Sequence, residues 1–208
     1  TDLKAIASCF SRELRSHLAS RVLKVGFILE GSALHRLLGL IGARFVERTK
    51  APRLDLTGFA DWDDYLARQS ANRRQHYRAY VRKLTRAGAM PAEFLADPNV
   101  REREISTLFS RKREWLAERE GLADWIVPPE TELWFQRLAR SDDAINRTHV
   151  LRLATRNEWI ASNLLLEREG VISISKLSFN PAWERLSPGW VLILEAVKFA
   201  FERNADTF

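Results

Sequence analysis

VISISKLSF, residues 171–179, is followed by NPAWERLSPG, residues 180–189, and by WVLILEAVKFAFE, residues 190–202. The first segment is an apolar run rich in β-branched side chains, which predicts a strand. The last segment repeats apolar residues three and four positions apart, with charged residues on the opposite face, which predicts an amphipathic helix. A polar, aromatic loop therefore joins a strand to a helix, and the rest of the chain is interpreted around this unit.

Two further apolar runs precede this unit, at residues 149–154 and 159–166. Their polar connections are short enough for antiparallel hairpins, so the three runs together predict a meander. Helical periods dominate upstream of the meander. The predicted helices are residues 3–18, residues 32–40 with Ser32 as cap, a helix that begins near Ala60, a helix that ends at Gly88, residues 100–120 and a helix that begins at Pro128. Short strands are predicted at residues 21–29, 51–58 and 90–95.

This order of elements predicts an α/β fold of the α+β kind, with a mixed, mainly antiparallel sheet flanked by helices. Pro52 and Gly58 interrupt the chain where its texture changes. Because such breakers mark turns and linkers, we predict a boundary there. The expected division is residues 1–50 and residues 51–208.

The composition is that of a globular protein with a core. Apolar residues make up 46% of the chain and charged residues 29%, a balance that excludes an intrinsically disordered chain. The single cysteine, Cys9, excludes an internal disulfide and a zinc site made of several cysteines. No apolar run approaches the roughly 18 residues that span a bilayer. We therefore expect a cytoplasmic protein without a transmembrane segment.

Familiar catalytic motifs are absent from the sequence. It contains no HExxH, CxxC, GxSxG, Walker A or GxGxxG pattern, so metalloproteases, zinc ribbons, α/β-hydrolases, P-loop proteins and Rossmann dehydrogenases lose their usual evidence. The four histidines lie far apart, and none has a second histidine or a cysteine at helical metal spacing. We therefore expect no metal site.

A strongly basic segment lies in the predicted helix that ends at Gly88, where no acidic residue occurs between Asp64 and Glu93. Its arginines recur every four residues and form one stripe. The stripe consists of Arg74, Arg78, Arg82 and Arg86. It is either a solvated face paired with the acidic helix at residues 102–120, or a surface for an anionic ligand, RNA or an anionic membrane. The candidate anion- or substrate-binding residues are Asn72, Arg74, Arg78 and Arg82.

The loop at residues 180–189 ends in the sequence Ser-Pro-Gly, directly before the predicted helix. Serine caps helices, proline suits a first turn, and glycine lets a ligand approach the backbone closely. The free amides of a helix start bind anions, and a nearby arginine would add charge. The candidate ligand-binding residues are Arg185, Ser187, Pro188, Gly189 and Trp190. A helix start with no ligand is the alternative interpretation.

Five short motifs occur in a distinctive order. They are Leu54-Asp-Leu56, Trp62-x-x-Tyr65-Leu66, Ser70-Ala-Asn72-Arg73-Arg74-x-x-x-Arg78, Arg86-Ala-Gly88 and Phe179-Asn-Pro-Ala-Trp-Glu-Arg-Leu-Ser-Pro-Gly189. With the meander and the loop-to-helix unit, residues 51–208 resemble the GNAT acyltransferase domain of CelD-like (BioF2-like) proteins, relatives of the FemABX aminoacyl transferases. Residues 1–50 resemble the tail of a preceding GNAT-like half-domain.

The resemblance implies transfer of an acyl group from acyl-CoA to an amine or hydroxyl of a sugar or amino-acid-derived acceptor, in polysaccharide or envelope biosynthesis. The donor would lie along residues 171–179, whose N–H groups would form the oxyanion hole, with its pyrophosphate on the amides near residues 187–190. A carboxylate or a water would deprotonate the acceptor. Candidates for the catalytic group, by location alone, are Glu167, Lys176 and Glu184.

Such relatives carry a further strand and helix after the position of Phe208. The resemblance therefore implies a sheet truncated at its C-terminal edge, a 208-residue chain that is inactive alone, and an edge strand through which it could dimerise. Two alternatives stay open: an aminoacyl transferase whose basic helix follows the phosphates of charged tRNA, and a catalytically degenerate GNAT module that serves as an interaction partner.

Overall fold

The chain was analysed in a computed structural model, which describes residues 2–17, 30–44, 51–117, 128–140 and 146–208. It divides into two compact units, Thr1–Pro52 and Arg53–Phe208. The first contains α1 (Leu3–His17) and α2 (Ala33–Leu40). Ser32 caps α2 as predicted, because its Oγ accepts a hydrogen bond from the His35 N–H at 3.1 Å. The strand predicted at residues 21–29 lies outside the described residues.

The second unit is built on a sheet of four antiparallel strands in the order β1-β2-β3-β4. The strands are β1 (Glu93–Phe94), β2 (Asn146–Ala154), β3 (Trp159–Arg168) and β4 (Val171–Phe179). The meander predicted from the three apolar runs is therefore confirmed, and the strand predicted at residues 90–95 is confirmed in a shorter form. The mixed α/β fold with a mainly antiparallel sheet flanked by helices is confirmed with it.

The helices of this unit begin and end at the signals that the sequence offers. They are α3 (Trp62–Arg68), α4 (Ala71–Arg86), α5 (Pro98–Ala117), α6 (Pro129–Arg140) and α7 (Pro188–Glu202), and a 3₁₀ helix (Pro181–Leu186) joins β4 to α7. The Asp61 carboxylate caps α3 by accepting the Asp64 N–H at 2.8 Å. Gly88, at φ +95°, ends α4 because only glycine takes that conformation without strain.

Helices cover both faces of the sheet. On one face α3, α4 and α7 bury a core around Leu165, Ile172 and Leu192. On the other face α5 and α6 bury a second core around Phe109, Phe135 and Leu164. Charged side chains of α4 and α5 are therefore separated by the sheet.

The C-terminal residues add a short parallel pairing to the start of β4. Val171 and Thr207 form a parallel bridge, and the Ile172 N–H donates to the Thr207 carbonyl at 2.9 Å. The strand predicted at residues 51–58 is reduced to pairing with these same residues, through a bridge between Asp55 and Thr207. Leu54 exchanges backbone hydrogen bonds with Phe208 at 2.6 and 2.9 Å, and the Leu56 N–H donates to the Asp206 carbonyl at 3.0 Å.

Candidate functional site

Within the described residues, the outer edge of β4 has no strand partner after its first residues. The Ile172 N–H faces outward to Thr207, and the Asn180 N–H faces inward to the Ile160 carbonyl at 2.8 Å. N–H direction alternates along a strand, so counting from the two ends directs the N–H groups of Ile174 and Leu177 outward. In a regular strand, residues whose N–H groups point to the same side are an even number of positions apart, but Ile174 and Leu177 are three apart. One residue between them must therefore lack a partner on β3.

That residue is Ser175. Ile174 pairs with Leu165, whereas Lys176 pairs with Leu164, so Ser175 is a β-bulge with no partner of its own. Bulges re-aim side chains and backbone groups and are common beside active sites. The bulge shifts the pairing of β4 with β3 by one residue in the middle of the strand. The outward N–H groups of Ile174 and Leu177 lie on either side of it, on the open edge.

The loop after β4 differs from the prediction in two ways. It contains the 3₁₀ helix, and Ser187 is not a side-chain cap, because its backbone is left-handed (φ 48°, ψ 49°) and its hydroxyl makes no capping bond. The Ser187 N–H instead donates to the Glu184 carbonyl at 2.9 Å. The strained serine turns the chain sharply from one helix into the next.

The N–H groups of Gly189 and Trp190 remain at the start of α7. They belong to the first turn, where no intrahelical acceptor exists, and Pro188 has no N–H at all. A side chain on Gly189 would lie 3.1 Å from Leu177 Cδ2 and 3.4 Å from Phe179 Cδ1. The missing side chain of Gly189 therefore faces β4 and leaves room for α7 to pack closely on that strand, while the contact of its backbone with a ligand stays a prediction.

A buried polar cluster lies on the opposite face of the same strands. Glu104 of α5 is 6% exposed, and its Oε1 accepts the Trp159 indole N–H at 2.6 Å and the Ser162 hydroxyl. Arg152 Nη1 lies 3.6 Å from its other oxygen. Ser178 of β4 pairs directly with Ser162 across the ladder and is likewise buried. The cluster therefore reaches β4 three residues beyond the bulge.

Sequence reasoning missed Glu104. Glu104 lies one residue before Ile105 and four residues before Leu108, on the face of α5 that points into the core, and it is buried with them. An acidic residue inside an apolar helical stripe is a signal that the pattern carried, because carboxylates are rarely buried without partners.

Lys176 directly follows the bulge and lies on this same face. Its Nζ donates to the Ser175 carbonyl at 2.8 Å and lies 5.1 Å from the centre of the Phe135 ring. Burial, together with the nearby positive charge of Lys112, lowers the pKa of Lys176 to about 8. At pH 7 about one molecule in ten therefore carries a neutral amine there, which is able to accept a proton.

The geometry is a sheet whose β4 strand has a bulge, an open edge and a loop that leads into a helix start. Residues 71–208 match the protein family described as an acetyltransferase (GNAT) domain. The chain belongs to the GNAT family. No curated protein matches it. Among solved structures it is similar to an aminoglycoside acetyltransferase from an uncultured soil metagenomic sample in complex with sisomicin, at 18% identity and a TM-score of 0.37, over 57% of this chain and 73% of that one.

The protein is therefore a GNAT-type acyltransferase, and acyltransferases of this family use acyl-CoA as co-substrate. Among the described residues, no group of three or more His, Cys, Asp or Glu side chains is placed to hold a metal ion. Within the same residues, no helix combines the length and the apolar character that crossing a bilayer demands.

The three candidates for the catalytic group lie in different parts of the GNAT domain. Lys176 lies beside the bulge, as described above. Glu167 lies at the far end of the sheet, where its carboxylate is 2.6 Å from His149 Nε2 and 3.0 Å from Arg203 Nη2. Burial would raise the pKa of Glu167, but the bonds from Arg203 and His149 outweigh burial and lower it. Glu184 lies exposed on the 3₁₀ helix beside Arg185, also exposed.

Among the described residues, the stripe on α4 of the GNAT domain makes no ion pair with the acidic helix α5, so the interpretation of a paired face is wrong for that part of the helix. Arg74 donates to the carbonyls of Ala67 and Gln69, at 2.8 and 2.5 Å, and ties α4 to the end of α3. Asn72, Arg78 and Arg82 are exposed. The acids of α5 lie across the sheet, where Glu102 pairs with Arg140 and Glu104 faces Arg152.

Proposed function

We propose that this GNAT domain transfers an acyl group from a thioester bound along the outer edge of β4 to an amine or hydroxyl held on the α5–α6 face. The observation that carries the proposal is the bulge at Ser175 beside an edge that opens after Ile172. There, the outward N–H groups of Ile174 and Leu177 would hydrogen-bond the thioester's pantetheine arm and the oxyanion formed from its carbonyl.

The start of α7 completes the donor site in this proposal. The free N–H groups of Gly189 and Trp190 would bind a donor phosphate, helped by the positive end of the helix dipole. Arg185 is exposed on the preceding 3₁₀ helix, within the same loop, and would add a charged hydrogen bond. Ser187 and Pro188 shape the turn and contribute no amide to the ligand.

Lys176 is the proton acceptor in this proposal. It occupies the position after the bulge, on the face opposite the α7 core, and its lowered pKa of about 8 supports the role. The neutral amine of Lys176 takes a proton from the amine or hydroxyl of the substrate that receives the acyl group. This happens as the new bond to the acyl carbon forms and the carbon–sulfur bond breaks. Glu167 is committed to His149 and Arg203, and Glu184 is not on this face, so neither is assigned to proton transfer.

The acceptor class rests on resemblance alone. We infer membership of the CelD-like branch, and with it a sugar or amino-acid-derived acceptor from polysaccharide or envelope biosynthesis, from the motifs between Leu54 and Gly189. Two of the motifs lie at the proposed site, and this supports the inference. Trp62 and Tyr65 pack against each other in the core beneath α7, and the last motif forms the donor loop.

The donor part of the proposal is tested by replacing Leu177 with proline and with alanine. Both changes shorten the side chain, but only proline removes the outward N–H, and proline is tolerated on an edge whose N–H faces away from the ladder. We expect acetyl-CoA binding, measured by calorimetry, to be at least about tenfold weaker in Leu177→Pro than in Leu177→Ala. Equal affinities in the two variants would contradict the assignment of this edge, and no binding by the unaltered protein would favour the degenerate module.

The proton-transfer part is tested by the pH dependence of acetyl transfer to a panel of amino sugars and amino acids. We expect the rate to rise up to about pH 8, because that is where Lys176 becomes neutral. Lys112→Met removes the positive charge that lowers this pKa, so the rise should move to higher pH. Lys176→Met should abolish the rise, and a profile unchanged by both variants would remove Lys176 from the mechanism.

A further inference from the structure

The solvent face of α4 carries arginines that the fold leaves unpaired. Arg78, Arg82 and Arg86 are exposed, and none makes a hydrogen bond or an ion pair with any described residue. They lie along about 12 Å of helix, since each residue advances about 1.5 Å. With Lys83, which is exposed on the same half of the helix, they form what we call the basic face.

Other arginines of this region are, by contrast, engaged in the fold. Arg68 forms an ion pair with Asp64 at 2.7 Å, Arg73 donates to the Gln69 side chain at 3.2 Å, and Arg74 binds two backbone carbonyls. Contacts within the fold therefore explain the arginines up to Arg74, but they do not explain those from Arg78 to Arg86. Repulsion between like charges four residues apart destabilises a helix unless an anion offsets it.

The acidic groups around α4 do not neutralise the basic face. Asp63 shares an open groove with Arg74 and Arg78, at the α3 end of the helix. Glu195 of α7 accepts the Tyr77 hydroxyl at 2.6 Å on the opposite, inward side. Arg82, Lys83 and Arg86 lie in the half of α4 farther along the chain from Asp63, and the positive potential is therefore strongest there.

That half of α4 packs against the start of the donor helix. The Tyr80 ring lies 6.0 Å from the Trp190 ring, in an edge-to-face contact, and Lys83 Nζ lies 5.2 Å from the centre of the Tyr80 ring. A partner seated on the basic face would consequently be close to the loop where a thioester donor enters the site.

The donor loop itself offers few groups to a phosphate. Pro188 has no N–H, the Ser187 N–H is bonded to Glu184, Gly189 and Trp190 contribute one amide each, and Arg185 is the one cation of the loop. Two amides suit a single phosphodiester better than the diphosphate and the additional phosphate of CoA. Positive charge is instead concentrated on a helix beside the loop.

We propose that the basic face docks a small acidic helical carrier protein, which delivers the acyl group as a thioester on its phosphopantetheine arm. The inference rests on the proposed function and names the donor for that same site. In the reaction the acceptor nitrogen or oxygen bonds to the acyl carbon and the carbon–sulfur bond breaks. Lys176 then gives the leaving thiolate the proton that it took from the acceptor, so the arm leaves as a thiol and the amine is neutral again.

The surface favours an acidic protein over RNA or a membrane. Tyr77 and Tyr80 contact Trp62 and Trp190, and the two exposed rings beside the basic face, His76 and Trp190, both contact Tyr80 and form no row of stacking platforms along the cations. It also has no apolar side chain to enter a bilayer, because Leu84 and Val81 point into the core. A row of cations about one short helix long complements an acidic helix.

The experiment measures binding of a fluorescently labelled bacterial acyl carrier protein, with and without its phosphopantetheine arm, by anisotropy at about 50 and about 200 mM NaCl. Acetyl-CoA binding is measured by calorimetry on the same preparations, and a short RNA duplex is titrated in parallel. The test variant is Arg82→Glu/Arg86→Glu. Its matched control is Arg103→Glu/Arg137→Glu, which changes the net charge equally at exposed positions of α5 and α6.

We expect the test variant to bind the arm-bearing carrier at least about tenfold more weakly at the lower salt concentration, with acetyl-CoA affinity within about twofold of the unaltered protein. The control should bind both as before. Carrier binding that is absent, or equal in the test and control variants, overturns the proposal, as does RNA binding that the test variant loses while carrier binding persists. Acetyl-CoA binding without carrier binding overturns only the carrier, whereas binding of neither donor overturns the proposed function too.

Discussion

Gly189 lies in the first turn of α7 with no space for a side chain. A Cβ there would be 3.1 Å from Leu177 Cδ2 and 3.4 Å from Phe179 Cδ1. In Gly189→Ala the end of the leucine side chain needs to move by only a few tenths of an ångström, and the helix gains up to about 1 kcal/mol of propensity. We therefore expect alanine to be close to neutral.

Gly189→Val adds two methyl groups where the first carbon is already tight. Overpacking of this kind costs about 1–3 kcal/mol, and the better helix propensity of valine returns about 0.5 kcal/mol. The net expectation is a loss of about 0.5–2.5 kcal/mol in the free energy of unfolding. For a domain of this size that lowers Tm by roughly 1–10 °C.

The same substitution should weaken donor binding more than it weakens the fold. Displacement of the first turn of α7 moves the N–H groups of Gly189 and Trp190, and a hydrogen bond to a charged phosphate is worth about 1.5–3 kcal/mol. Loss of one such bond corresponds to a roughly tenfold to hundredfold weaker affinity for acetyl-CoA. Calorimetry gives the affinity, and urea denaturation at the same temperature gives the stability.

Gly58→Val is the matched control, because a Cβ at Gly58 meets no atom within 4 Å. It should leave both stability and acetyl-CoA affinity unchanged. If Gly189→Val were as stable as the unaltered protein, the packing argument would be refuted. If it were destabilised but bound acetyl-CoA normally, the amides at the start of α7 would not be the phosphate site.

Three further outcomes follow from the buried polar groups. Glu104→Ala removes the acceptor of the Ser162 hydroxyl and one of the two acceptors of the Trp159 indole N–H, which also lies 2.8 Å from Ser162 Oγ, and should lower the free energy of unfolding by about 1–3 kcal/mol. Glu104→Gln keeps an acceptor oxygen and should lower it less; urea denaturation compares the two variants. Because the pKa of Lys176 falls from 10.5 to about 8 on folding, the unfolded chain binds more protons between these values and stability rises with pH across that window. Lys176→Met should therefore stabilise the protein by on the order of 1 kcal/mol at pH 7, allowing for solvent screening. The gain should be gone above the unfolded pKa of 10.5, and urea denaturation at pH 7 and above pH 10.5 measures the difference. Burial and the bond to Glu195 raise the pKa of Tyr77, so Tyr77→Phe should remove about 1.5–3 kcal/mol of stability, and an ultraviolet titration should show one tyrosine fewer resisting ionisation until unfolding.

The ends of the secondary-structure elements could be predicted because local groups determine them. The strand at residues 171–179 and the cap at Ser32 agree with the structure residue for residue. A run of β-branched residues, or a hydroxyl three residues before an N–H, acts within one turn of the chain. Such features need no knowledge of the partner strand or helix.

Predictions about the site depended on distant neighbours and were less successful. The bulge at Ser175 is invisible in ISISKLS, because the shift exists only relative to Leu164 and Leu165 of β3. The left-handed Ser187 replaces the expected cap because a 3₁₀ helix precedes it. The packing of Gly189 on Leu177 could not be predicted either, because the two residues meet only when α7 folds back on β4.

Residue types and their periods determined which helices and strands form, the charge of α4, and the loop that leads into α7. The tertiary structure alone decided which charges meet. The sheet separates α4 from the acids of α5, so Arg78, Arg82 and Arg86 of α4 stay exposed while Glu104 is buried against Trp159 and Ser162. Pairing of charges depends on distance through space, and that distance is set by the face of the sheet on which each helix packs.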